Sequence, residues 1–176
     1  MPGVRHALKR TAFALLATAG LVAGLPGSAN AQAQGPAKTA VLVHGAFADG
    51  SSWAKVIPLL ESAGLKVIAV QNPLDSLEDD VAFTNRALDL AEGPVVLVGH
   101  SYGGVVITQA GVHPKVKALV YVAAYAPDVG QSLADVVKPY PEPPGQAFFM
   151  KDKNDFLKVS DEGVFKHFAA DLPRSA

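Results

Sequence analysis

The residues best suited to chemistry lie between Pro94 and Gly104, in the stretch PVVLVGHSYGG. Ser101 stands two residues after Gly99 and two before Gly103, the G-x-S-x-G spacing. A serine hydroxyl is a weak nucleophile until a base takes its proton and aimed N–H groups receive the negative oxygen that its attack creates. A sharp turn from strand to helix exposes such a serine beyond the sheet edge, where base and substrate reach it. Glycines at 99 and 103 let the two arms of the turn approach, because a Cβ at either would strike the opposite arm. The pentapeptide by itself is a weak pattern. The apolar residues Val95, Val96, Leu97 and Val98 before it, and Val105, Val106 and Ile107 after it, supply the strand-turn-helix context that gives it weight.

The elements that must hold this turn are legible as alternating apolar runs. Thr39, Ala40, Val41, Leu42 and Val43 form a run without polar alternation, which predicts a strand buried on both faces. The loop His44-Gly45-Ala46-Phe47-Ala48-Asp49-Gly50 follows. Ser51 or Ser52 is the expected cap of a helix carrying Trp53, Val56, Ile57, Leu59 and Leu60, with Pro58 kinking it or marking its start. Gly64 should stop that helix ahead of a second buried strand, Lys66 to Val70. Ser76, with Asp79 three residues on, opens a helix whose inner stripe is Leu77, Val81, Leu88 and Ala91. The strand leading to Ser101 and its small-residue helix come next, then a further strand from Val116 to Ala123 whose residues suit burial but which, as the last of the sheet, is expected to be left an unpaired edge. Strand and helix alternating without hairpins predict a parallel sheet covered by helices, a three-layer α/β sandwich.

After Ala126 the character changes. Pro139, Pro141, Pro143 and Pro144 precede the charged run Lys151-Asp152-Lys153-Asn154-Asp155, and no further buried strand is expected. Short helices are expected near Ser132 to Val137 and Glu162 to Ala170. The segment reads as an insertion covering the sheet edge.

With HGAFADGSSW after the first strand and GHSYGG after the third, the sequence resembles the α/β-hydrolase fold family, and within it the small esterase and hydroxynitrile-lyase-like branch. The matching order of elements runs from about Thr39 to Ala126, and the stretch beyond resembles the start of that family's lid. The resemblance implies Ser101 as nucleophile and the backbone N–H groups of Ala46 and Tyr102 as the oxyanion hole, with Phe47 as the alternative donor. It disfavours dehalogenase and epoxide-hydrolase chemistry, which use Asp at the serine position. In the family, acid and histidine follow on loops after two later strands. Those strands have no counterpart before Ala176, so the expectation is an α/β-hydrolase fold incomplete at its C-terminus. The resemblance covers a core at 39–125 and the beginning of a lid at 126–176.

No histidine reads as a clear base. His44 borders the oxyanion loop, where holding the loop by hydrogen bonds is the more ordinary role. His100 precedes the serine and should point away from it into packing. His113 should serve the C-terminus of the helix before it, and His167, on a lid helix with Phe165 and Phe168, should have a surface or packing role. Asp128 is the best-placed acid, although a turn after Pro127 explains it as well. Asp49 and Asp75 read as loop and cap residues. Cofactors are not called for: the sequence holds no metal-ligand spacing and no phosphate-binding glycine loop.

A net charge of -1 argues against nucleic acid and acidic membranes as partners. Arg5, His6, Lys9 and Arg10 precede an apolar run from Ala12 to Leu25 and the small-residue pattern Ala29-Asn30-Ala31, the three regions of a secretory signal peptide. The run is shorter than the roughly 20 residues of a membrane span. Residues 1–31 are therefore expected to be removed, giving an exported, periplasmic or secreted protein that starts at Gln32. With no cysteine, its fold must hold by its core alone. The function that these residues imply is a secreted serine hydrolase forming an acyl-enzyme from a small-molecule ester. The alternatives are a hydroxynitrile-lyase-like lyase, which would need Lys151, Lys153 or Lys158 beside the serine, and a catalytically inactive truncated product.

Overall fold

The computed structural model describes residues 35–174, so the expected signal peptide at 1–31 lies outside the described residues. Four parallel strands form the sheet: β1 (Thr39–Val43), β2 (Lys66–Ala69), β3 (Val95–His100) and β4 (Val116–Val122), in the spatial order β2-β1-β3-β4. The unbroken apolar character of β1 has its cause in this order. As an inner strand it is buried at all five residues. Val41 and Val43 project into one core with Leu88, Leu97, Val106 and Ile107, while Ala40 and Leu42 project into another with Trp53.

Helices cover both faces. On one side α2 (Leu77–Leu90) and α3 (Gly103–Ala110) bury Leu88, Val106 and Ile107. On the other, a 3-10 turn at Gly50–Trp53 and α1 (Ile57–Ser62) cover Ala40 and Leu42. Three layers result, as the alternation predicts. Pro58 occupies the first turn of α1, where its missing N–H has no partner to lose. Gly64, at φ +88°, follows the end of α1. The 3-10 turn begins earlier than expected, so its cap is Asp49 rather than Ser51 or Ser52. An Asp49 oxygen accepts the Ser51 N–H at 2.7 Å, and the Ser52 hydroxyl donates back to the Asp49 carbonyl. Ser76 caps α2 as predicted, accepting the Asp79 N–H at 3.0 Å.

Two further expectations change. The C-terminus of α2 is met by Lys115, whose Nζ donates to the carbonyls of Leu88, Asp89 and Ala91 at 2.6 to 3.0 Å. The ring of His113, expected to serve the C-terminus of the helix before it, faces the Asp89 carboxylate at 3.2 Å. The longer, always-donating ammonium reaches a carbonyl cluster that a ring cannot span. The strand β2 is also less buried than its sequence suggests, and β4 is the open edge that the sequence implies. Both β2 and β4 are sheet edges, and Val120, Tyr121 and Val122 are 42%, 37% and 40% exposed.

Beyond the sheet, α4 (Leu133–Val137) opens with a reciprocal Ser132/Asp135 capping box. A 3-10 turn at Pro144–Phe148 leads to an antiparallel pair, β5 (Phe149–Lys151) and β6 (Leu157–Val159). The segment continues through α5 (Asp161–Gly163) into a π-helical turn at Val164–Phe168. The short helices match the expectation, and the hairpin was not anticipated. Its strands have three residues each and carry no alternation to read. Its turn is built by Asp152, whose side chain accepts the N–H groups of Asn154 and Phe156.

Candidate active site

Ser101 follows β3 directly and has φ +53°, the left-handed region that a non-glycine residue enters only at a cost. Its backbone is tied down on both sides. The Ser101 N–H donates to the Val122 carbonyl at 3.4 Å, and its carbonyl accepts from Gly104 and Tyr125 at 3.0 and 3.1 Å. The elbow is thus anchored to the end of β4 as well as to α3. Held strain of this kind persists only where the surroundings over-determine it, and it marks functional turns.

The flanking glycines have separate steric reasons. A Cβ on Gly99 would lie 2.5 Å from the Gly103 carbonyl oxygen, across the turn. One on Gly103 would lie 2.6 Å from the Val43 oxygen and 2.8 Å from that of His44, so this glycine clears the end of β1 rather than the arm of its own turn. That closeness seats the β1 loop beside the serine. A Cβ on Gly45 would stand 3.0 Å from Ser101 Cβ.

In the β1 loop, Ala48 N–H donates to the Gly45 carbonyl at 3.3 Å, closing a turn with Ala46 and Phe47 at its centre. Among the described residues the N–H groups of Ala46, Phe47 and Tyr102 donate no backbone hydrogen bond. Free, partly buried donors on two sides of a strained serine are the elements from which an oxyanion site is made.

His44 is 1% exposed and both its ring nitrogens are engaged. Nδ1 bonds the Gly45 carbonyl at 2.9 Å, and Nε2 accepts the Asn72 N–H at 3.0 Å. The ring therefore donates through Nδ1, accepts through Nε2, and braces the loop instead of serving the serine. His100 turns its ring toward Trp53, edge-on at 6.3 Å between centroids. Burial lowers its pKa from the ordinary 6.5. His113 pairs with Asp89, and His167 lies against Phe148 at 4.8 Å. Asp128 sits in an exposed turn with Gln131, Asp49 caps its turn, and Asp75 is exposed beside the Ser76 cap. Lys151 pairs with Asp155 at 3.4 Å, while Lys153 and Lys158 are exposed. Among the described residues no group of three or more His, Asp or Glu is placed to hold a metal ion.

The sequence reading passed over Asp80. It is 0% exposed, and its carboxyl accepts the Tyr102 hydroxyl at 2.8 Å and the Leu74 N–H at 2.9 Å. Burial, and then this bond to Asp80, push the Tyr102 phenol well above its ordinary value of 10.0. A signal was present: Asp80 falls on the inner stripe of α2 with Leu77, Thr84 and Leu88, where a charge needs a partner. By position alone it is one of three first-turn acids that complement the helix dipole.

A parallel sheet with helices on both faces and a strained serine between strand and helix defines a hydrolase-type scaffold. The alpha/beta hydrolase family matches residues 40–175, and the chain belongs to it. It is 34% identical over 120 residues to an alpha-hydroxynitrile lyase of Arabidopsis thaliana, covering 60% of this chain and 46% of that protein. It is 35% identical over 130 residues to polyneuridine aldehyde esterase of Rauvolfia serpentina, covering 65% and 48%. Among solved structures, a pyrethroid hydrolase from Sphingobium faniae superposes with a TM-score of 0.66 at 26% identity, over 80% of this chain and 64% of that one. The chain spans about half the length of the curated relatives it matches.

Proposed function

We propose that this chain carries the nucleophile half of a serine hydrolase that cleaves small carboxylic esters through an acyl-enzyme on Ser101. The observation that carries the reading is the left-handed Ser101 backbone, packed between glycines that admit no side chain. Ser101 Oγ adds to the ester carbonyl carbon, and the carbonyl oxygen gains the negative charge. The N–H groups of Ala46 and Tyr102 receive that charge, with Phe47 the second candidate on the loop side. Loss of one such donor raises the barrier by about 3–4 kcal/mol. Collapse breaks the bond to the alkoxy oxygen, the Oγ proton leaves with the alcohol, and water then releases the acid. The proton passes through a base, a part that none of the described histidines takes. The esterase among the relatives supports an ester substrate.

The N-terminal pattern supports export. The exported protein is expected to start near Gln32, which N-terminal sequencing checks, and a retained Met1 in a cytoplasmic product would defeat that part. Among the described residues no helix is long and apolar enough to cross a membrane.

The test of the chemistry is labelling by a fluorophosphonate probe, followed by peptide mass spectrometry. Modification at Ser101, lost in Ser101→Ala, is the expected result. Labelling of this chain should be slow, because no described histidine takes the serine proton; label carried equally by Ser101→Ala, or found at another residue, would refute the assignment.

A further inference from the structure

The two candidate oxyanion donors belong to segments far apart in sequence, yet hydrogen bonds and one short turn join the peptide unit of the first to the side chain of the residue that carries the second. On the first arm, His44 Nδ1 bonds the Gly45 carbonyl at 2.9 Å. That carbonyl and the Ala46 N–H belong to one planar peptide unit, so fixing the oxygen aims the N–H in the opposite direction. His44 Nε2 in turn accepts the Asn72 N–H at 3.0 Å. On the second arm, the Tyr102 hydroxyl donates to one oxygen of Asp80 at 2.8 Å, and the other oxygen accepts the Leu74 N–H at 2.9 Å. Asn72 and Leu74 are separated only by Pro73, whose ring fixes its φ. Leu74 is itself held at φ +61°, a conformation that needs support. The chain from Gly45 to Tyr102 thus passes through one stiff turn, and Asp80 and His44 are both fully buried along it.

We propose that Asp80 is a positioning residue, which with His44 braces the Asn72-Pro73-Leu74 turn and so holds the loop that carries the Ala46 N–H in place against the side chain of Tyr102, whose own N–H is aimed separately by the Ser101 carbonyl that Gly104 and Tyr125 hold. The inference rests on the reading of those two groups as the oxyanion donors. Preorganised donors act because they need not turn at the moment of reaction, and two donors on separate loops keep that property only when the loops are tied. Capping α2 does not require Asp80, since Ser76 already caps that helix. Its two acceptors are spent on Leu74 and Tyr102.

The experiment compares the full chain with Tyr102→Phe, Asp80→Ala, Asp80→Asn and the double variant Tyr102→Phe/Asp80→Ala. Two quantities are read: the rate of fluorophosphonate labelling at Ser101, and the amide shifts of Ala46 and Tyr102 in nitrogen-15 spectra. The exposed neighbour Asp79→Ala is the control. Tyr102→Phe and Asp80→Ala are expected to slow labelling about tenfold while the protein remains folded. The double variant should be no slower than the slower single one, since both cut the same link. Asp80→Asn keeps an acceptor for Leu74 and a partner for Tyr102, so it should recover most of the rate. A stabilising role alone would lower the melting temperature and leave the labelling rate of the folded protein unchanged, which would overturn the proposal. If Asp80→Ala does not fold, Tyr102→Phe, which removes one oxygen from a partly buried side chain, decides alone. If the label goes to a residue other than Ser101 the hydrolase reading fails, and in that case, or where labelling of the wild-type chain is too slow to compare, the spectra decide the brace. An Ala46 amide that shifts on Asp80→Ala, or on Tyr102→Phe, sustains it; one that stays in place overturns it.

Discussion

The ring of Phe47, in the loop after β1, lies 4.8 Å from the ring of Phe149 at an interplanar angle of 51°. Phe168 meets the same ring edge-on at 6.4 Å, so both the hairpin and the π-helical turn touch the loop that carries the candidate oxyanion donors. Aromatic pairs of this geometry contribute about 0.5–1.5 kcal/mol beyond their buried area. Phe47→Ala is expected to loosen the segment from Pro143 to Phe168 while leaving the sheet intact. Limited trypsin digestion should then cut faster at Lys151, Lys153 and Lys158, with little change in the melting temperature. Unaltered cleavage would mean that the segment is held elsewhere.

The left-handed backbone at residue 101 separates chemistry from strain. Ser101→Gly and Ser101→Ala both remove the hydroxyl, but only glycine relieves the cost of φ +53°. The glycine variant should be more stable than the alanine variant by about 1 kcal/mol in denaturant unfolding. Equal midpoints would show that the turn relaxes when the hydroxyl is lost.

Ala118, Val120 and Val122 alternate onto one face of β4, and all three are exposed. An apolar edge strand of this kind is prone to pair with another chain. Val120→Lys should reduce concentration-dependent association measured by light scattering and cost little stability, because Val120 is already 42% exposed. Association unchanged by the lysine would place the sticky surface elsewhere.

Acid should weaken the fold through His100. Its folded pKa lies below the ordinary 6.5 because burial beside Trp53 disfavours the charged ring. The unfolded chain therefore binds more protons near and below pH 6.5, and stability falls as pH drops through that window, levelling off below the folded value. His100→Gln is expected to flatten the decline of the melting temperature between about pH 7.5 and pH 5.5. A slope identical to that of the wild type would remove His100 as its source.

Much of this site was legible because it is local. The turn at Ser101 is encoded within five residues, and the glycine at 99 clears atoms only four positions away. Ser76 and Ser132 announce their helices for the same reason, since a cap reaches only two or three residues along the chain. The order of apolar runs likewise determined by itself that a parallel sheet would be covered by helices on both faces. What only the tertiary structure decided depends on which distant segments meet. Gly103 clears the end of β1, and Lys115 reaches the carbonyls at the end of α2. Asp80 is the sharpest case. In sequence it is one of three acids in the first turn of a helix, and its role comes from Tyr102 and Leu74, which pattern and periodicity along the chain do not bring together.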